Sequence, residues 1–151
     1  MNVKRILSCV LALALAASLL PGLVSAPAAA SFSDIADDAT AENVEVLRML
    51  GVVNGTGNNR FEPNSNITRE QLAVILYRYA QDAGYTTSAS ANITGYYDYA
   101  RVNSYARTAM SWAVGAGLIT GTSTTTLSPQ DTATRAQVAT ILMRFCENIA
   151  K

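Results

Sequence analysis

Part of this chain is written twice, and that limits what it can fold into more than any other feature. Residues 51–80 align with residues 117–146 at a constant offset of 66, without a gap, and 11 of the 30 pairs are identical. The identities include Gly51/Gly117, Gly55/Gly121, Pro63/Pro129, Thr68/Thr134, Arg69/Arg135 and Gln71/Gln137. Self-similarity at such a period means one supersecondary unit used twice. Each unit holds only about 50 residues, which is marginal for a core of its own, so the two are expected to bury their helices together.

The best-defined part of the unit is a helix start. Thr68 and Thr134 read as N-caps, and Gln71 and Gln137 three residues on complete capping boxes. Apolar residues then recur at helical spacing: Leu72, Ile75, Leu76 and Tyr79, and again Val138, Ile141, Leu142 and Phe145. An earlier helix is predicted in each unit, over 41–50 and over 105–116. Val44, Leu47 and Met49 would face inward in the first, and Ala109, Trp112, Ala113 and Ala116 in the second. Gly51 and Gly117 follow, where a helix C-terminus takes a left-handed residue. Gly55 and Gly121 then turn the chain into a polar loop whose apolar anchor is Phe61 or Leu127. These loops lack the run of carboxylates that calcium needs. Residues 86–95, small and polar without periodicity, read as a connecting loop. The fold class is all-α: two helix–loop–helix repeats, 31–85 and 96–151, packed in a pseudo-symmetric bundle.

The arginine in each helix start is the odd choice. It falls at the first helical position, where the helix dipole favours anions. Beside free backbone N–H groups, Arg69 and Arg135 would make a receptor for an anion such as a carboxylate. The alternative is a surface arginine paired with a neighbouring acid, since both capping boxes survive without it.

Composition removes several function classes. Eleven basic and eleven acidic residues balance, so nothing points to nucleic acid. The absence of histidine removes the commonest general base and metal ligand. Cys9 and Cys146 have no metal-like spacing and form no disulfide framework, and Cys146 reads as a small core residue. The acids are scattered singly, with no nucleophile–base pair, so no enzyme, cofactor or metal site is expected.

The N-terminus carries an address. Lys4 and Arg5 precede an uncharged apolar run from Ile6 to Leu20, then Pro21-Gly22 and a cluster of small residues. This is a secretory signal peptide pattern over 1–30, with cleavage after Ala30. Cleavage after Ala26 would leave Pro27 just past the cut, a poor position. The uncharged stretch is long enough to span a membrane if uncleaved, but the Pro-Gly break and the small residues favour removal. The exported chain would keep all eleven acids and lose only Lys4 and Arg5 from its bases.

The full order is aromatic-x-Asp (Phe32-Ser33-Asp34, Tyr96-Tyr97-Asp98), helix, Gly-apolar-apolar-x-Gly, polar loop with apolar-x-Pro, then Thr-Arg-x-Gln opening a helix. This resembles the S-layer homology (SLH) domain of bacterial cell-envelope proteins, over Phe32 to about Glu147. Trp112 ahead of Gly117 adds to the likeness. The resemblance implies non-covalent anchoring to the cell wall by binding secondary cell-wall polysaccharide, often pyruvylated. It implies that Arg69 and Arg135 engage the acidic sugar, with Thr68 and Thr134 beside them. Asp34 and Asp98 match the family's acidic position, Trp112 its aromatic wall, and Gly55 and Gly121 its close-approach glycines. The implied location is secreted, on the cell wall or S-layer surface.

The chain departs from the family in instructive ways. The family usually has three repeats in a spindle, and this chain has two, an incomplete spindle. Val46 stands opposite Trp112, so the first unit lacks that aromatic, and Glu70 stands where alanine is usual. Nearly all of the chain would be anchor. The alternative function is structural: a protein that pairs with itself, or with another SLH protein, to complete a three-repeat unit. The unpaired apolar surface left by a missing repeat favours that alternative.

Overall fold

A computed structural model describes residues 32–150. Four α-helices and two 3₁₀ turns, with no strand, make up the described residues, as expected for an all-α chain. The predicted signal peptide lies outside the described residues. The chain divides into two compact units, one ending at Ser65 and the other starting at Asn66.

In the first unit, α1 runs Asp38–Met49. It begins three residues before the predicted start because Asp37 caps it, its carboxylate accepting from Thr40 N at 2.8 Å. Val44 is buried with Phe32, Val52 and Val53. Met49, expected to face inward, is 62 % exposed, a correction. The Gly51 turn (φ +72°) lies directly beyond the last helical residues. Phe32 packs on Phe61 with ring centroids 5.3 Å apart.

The second unit opens with α2, Arg69–Asp82, followed by 3₁₀ turns at Tyr99–Arg101 and Ser104–Ala106. Next come α3, Arg107–Gly115, and α4, Arg135–Asn148. Both predicted capping boxes are formed, at Thr68/Gln71 and Thr134/Gln137. The helix predicted from Tyr105 starts at Arg107, because Ser104–Ala106 are wound as 3₁₀ turn. Helix α2, from the first sequence repeat, packs against α3 of the second. Their core holds Leu72, Leu76, Met110, Trp112, Leu118, Ile119 and Leu127, joined from α4 by Ile141 and Phe145. Burying one such large side chain contributes about 1.5–3 kcal/mol, so this set dominates the unit's stability.

Helices α2 and α4 share their sequence pattern but not their environment. Leu76 of α2 is 7 % exposed, whereas its repeat mate Leu142 of α4 is 44 % exposed. Leu142 shares the helical spacing of Ile141 and Phe145 but lies outside the core. Among the described residues no later element lies over α4 in the way that α3 lies over α2. Cys146, expected to be buried, is half-exposed.

Candidate functional site

The expected site residues fall into three groups. The first closes the loops. Asp34 accepts from Phe61 N (2.8 Å) and Glu62 N (2.7 Å), and Asp98 accepts from Leu127 N (2.9 Å) and Ser128 N (2.6 Å). Glu62 and Ser128, at the same repeat position, both hold positive φ (60° and 51°). A carboxylate bonded to two successive N–H groups fixes that turn. The Phe61 N–H, helped by the Glu62 N–H and by Arg60 3.6 Å away, holds the Asp34 carboxyl below its usual range against partial desolvation. Gly55 and Gly121 sit against the same loops. A Cβ on Gly55 would lie 2.4 Å from the Phe32 ring, and one on Gly121 would lie 2.4 Å from Ser123 O. In this geometry all four residues have structural partners.

The second group is Thr68 and Arg69, and here the anion-receptor expectation is corrected. Arg69 is buried, at 5 % exposure. Its guanidinium donates to Thr120 O (2.7 Å) and Leu127 O (3.0 Å). The nearby backbone N–H groups are not free either: Arg69 N donates to Asp131 O and Glu70 N to Pro129 O, both at 3.0 Å. Ala133 N returns a bond to Ile67 O at 3.1 Å. Burial lowers the Arg69 pKa, opposed by Asp131 and Asp98. The arginine therefore joins the start of α2 to the loop of the second repeat.

Glu70 completes that joint. It is 1 % exposed and accepts from Asn103 N (3.1 Å), Asn103 Nδ2 (2.6 Å) and Tyr105 Oη (3.1 Å). The sequence shows Glu70 only as a departure from the repeat. Its role depends on Asn103 and Tyr105, more than 30 residues away, and no local signal reveals them. Arg135, in contrast, is exposed, and its guanidinium has no hydrogen bond or ion pair among the described residues. Thr134 beside it serves α4 as its cap.

The third group is Trp112, which leads to a site that the sequence reading missed. Trp112 lines a groove of about 430 Å³ with Tyr77, Tyr99, Arg107, Thr108, Ser111 and residues 87–94. Trp112 is 1 % exposed, so it forms a wall of the groove with little open face. Its indole Nε1 is buried without a hydrogen-bond partner among the described residues, an uncommon state for a buried donor. Tyr77 stands edge-on to Trp112 at 5.3 Å, and the Arg107 guanidinium lies 5.4 Å from the Tyr99 ring. The segment read as a plain connecting loop forms the other wall. Ala91 N donates to Ser111 O (3.0 Å), Ser111 Oγ donates to Ala91 O (2.7 Å), and the Ser90 and Ser111 hydroxyls pair at 3.0 Å. Gly115 lets this segment approach, since a Cβ there would lie 2.6 Å from the Ser90 backbone. Aromatic rings, hydroxyls and one cation around an open groove suit a polar, ring-shaped ligand with an acidic group.

No group of three or more His, Cys, Asp or Glu able to hold a metal occurs among the described residues. Nor is any helix among them long and apolar enough to cross a membrane.

Known proteins resemble the chain over most of this length. It is 28 % identical over 117 residues to an amylopullulanase of Thermoanaerobacterium thermosulfurigenes, and equally so to the exoglucanase XynX of Acetivibrio thermocellus. Both alignments cover 77 % of this chain, but only 6 % and 11 % of those relatives. The chain therefore spans a small part of either enzyme. The model of the S-layer homology domain matches residues 31–73 and 95–139. Such domains are binding modules, not catalytic ones, and attach proteins to the cell wall at the cell surface. With two matched repeats covering more than half of its length, the chain belongs to the S-layer homology domain family.

Proposed function

We propose that the chain is a non-covalent cell-wall anchor that binds an acidic secondary cell-wall polysaccharide, of the pyruvylated kind, in the groove beside α3. The observation that carries this reading is the groove wall itself. Tyr77 and Tyr99 offer rings beside the largely covered Trp112, Ser111 and residues 87–94 offer hydroxyls and backbone groups, and Arg107 offers a cation. Stacking against a sugar and bonding its hydroxyls needs the first two, and a carboxylate on the sugar needs the third. Of the residues implied by family resemblance, Trp112 enters this reading directly. Arg69, Thr68, Asp98 and Gly121 act through the loop they hold, and Asp34 and Gly55 do the same in the first unit. Export by the N-terminal leader, with cleavage after Ala30, belongs to the same reading.

The test is co-sedimentation of the exported chain with cell walls, before and after acid stripping of the secondary polymer. Arg107→Ala, at an exposed position, is run alongside. Pelleting that disappears on stripping, and weakens in the variant, supports the reading. A chain that stays in the supernatant with intact walls defeats it.

A further inference from the structure

The joint between α2 and the second-repeat loop is built from repeated parts, and each part occurs once more without a counterpart among the described residues. The plug is a capped helix start carrying an arginine at its first position, Arg69 in α2. The socket is a loop closed by an aspartate, whose carbonyls take the plug's guanidinium and first N–H groups. Arg135 at the start of α4 repeats the plug, with the same capping box but without a partner for its guanidinium among the described residues.

The first-repeat loop repeats the socket. Asp34 clamps it as Asp98 clamps the second. Ser65 N donates to Glu62 O at 3.0 Å, as Asp131 N donates to Ser128 O at 3.2 Å. The carbonyls of Phe61, Pro63 and Ser65 match those of Leu127, Pro129 and Asp131, which receive α2. These three first-repeat carbonyls accept no hydrogen bond among the described residues. The charges match in part: Asp34 stands where Asp98 does, with Arg60 3.6 Å away, while Ser65 stands where Asp131 does.

We infer that this chain associates head to tail, the Arg135 end of α4 in one copy docking on the 53–65 loop of a second copy. The chemistry of the contact is the one already made inside the chain by Arg69. The exposed Leu142 and Met143 on α4 supply the apolar area that docking would cover. A plug and a socket that differ make a heterologous interface, so association continues from copy to copy until a ring closes or a filament grows. The inference goes beyond wall anchoring and needs no polysaccharide, so either can fail without the other.

The test measures molar mass against concentration by sedimentation equilibrium, without polysaccharide, on the full chain produced with its leader so that the host processes it. Arg135→Glu spoils only the plug. Ser65→Lys spoils only the socket, by placing a cation where Arg135 would arrive. Both positions are exposed, and thermal melts matching wild type show that the variants fold. Wild type should associate as concentration rises, and each variant alone should associate about tenfold or more weakly. An equimolar mixture should associate more strongly than either variant alone, because the intact socket of the first variant takes the intact plug of the second. A wild type that stays monomeric at every concentration overturns the inference. So does an Arg135→Glu chain that associates like wild type, or a mixture no better than its components.

Discussion

The Arg69 guanidinium reaches across 58 residues of sequence to donate to the Leu127 carbonyl at 3.0 Å. Leu127 is the apolar anchor of its loop, so this bond ties the start of one repeat's helix to the centre of the other repeat's loop. Arg69→Ala would leave the buried Leu127 carbonyl and the part-buried Thr120 carbonyl without their donor, and a cavity where the side chain stood. It should lower the stability of the second unit by about 2–4 kcal/mol. Arg135→Ala, at the matching exposed position, should stay within about 0.5 kcal/mol. Urea denaturation of the two variants checks the contrast, and equal effects would contradict it.

Glu70 makes the companion contact. Glu70→Ala removes the buried acceptor shared by Asn103 and Tyr105 and should cost about 1.5–3 kcal/mol, the range for hydrogen bonds to a charged group. A double-mutant cycle with Tyr105→Phe should show clear coupling between the two positions. Additive losses would mean that the hydroxyl contributes nothing through Glu70.

Tyr105 also sets an alkaline limit. Partial burial, followed by the charge and hydrogen bond of Glu70, raises its pKa above the ordinary 10.0. The folded state then holds the phenolic proton more tightly than the unfolded chain. That contribution is complete below pH 10 and is lost as pH rises through the folded pKa. Phenolate absorbance should titrate with one component above pH 10, and Glu70→Gln should move that component down.

Asp34, with Asp37 and Glu45, contributes to the acid limit of the first unit. Its folded pKa lies below 3.8, held down first by the Phe61 N–H. The sign is opposite to that of Tyr105: the contribution is present above the unfolded pKa and is lost as pH falls through the folded one. Chemical shifts of the Phe61 and Glu62 amides should report this titration below pH 3.8, and Asp34→Asn should abolish it.

Two glycines separate backbone freedom from space. Gly51 (φ +72°) has no atom within 4 Å of an added Cβ, whereas at Gly55 (φ +71°) that Cβ would meet Phe32 and the Arg60 carbonyl, each at 2.5 Å or less. Gly51→Ala should cost about 1–2 kcal/mol for the left-handed conformation alone. Gly55→Ala should cost more, since the Phe32–Phe61 pair must move. Equal melting temperatures for the two variants would contradict the account.

The capping boxes that start α2 and α4, the loop anchors and the turn at Gly51 are legible in the sequence because each is a local device with a fixed spacing, whereas the starts of α1 and α3 are not. Nor is the use of each arginine. Arg69 and Arg135 sit in identical motifs, and what separates them is whether another repeat's loop lies against them. The groove is hidden for a similar reason. Residues 87–94 have no periodicity, and only their bonds to Ser111 and their approach to Gly115 make them a wall. Glu70 reads as a departure from the repeat because its partners come from the unmatched turn ahead of α3.

The central claim is that the groove beside α3 binds an acidic wall glycan, and Trp112 makes it directly measurable. It is the chain's single tryptophan, it lines that groove, and its indole N–H has no partner among the described residues. Titrating the exported chain with soluble pyruvylated wall polysaccharide should give a saturable change in tryptophan fluorescence. Arg107→Ala should weaken that binding, as should removal of the pyruvate from the glycan. Full binding to the same polysaccharide by sedimentation, with no fluorescence change and no effect of Arg107→Ala, would place the sugar elsewhere and contradict the account.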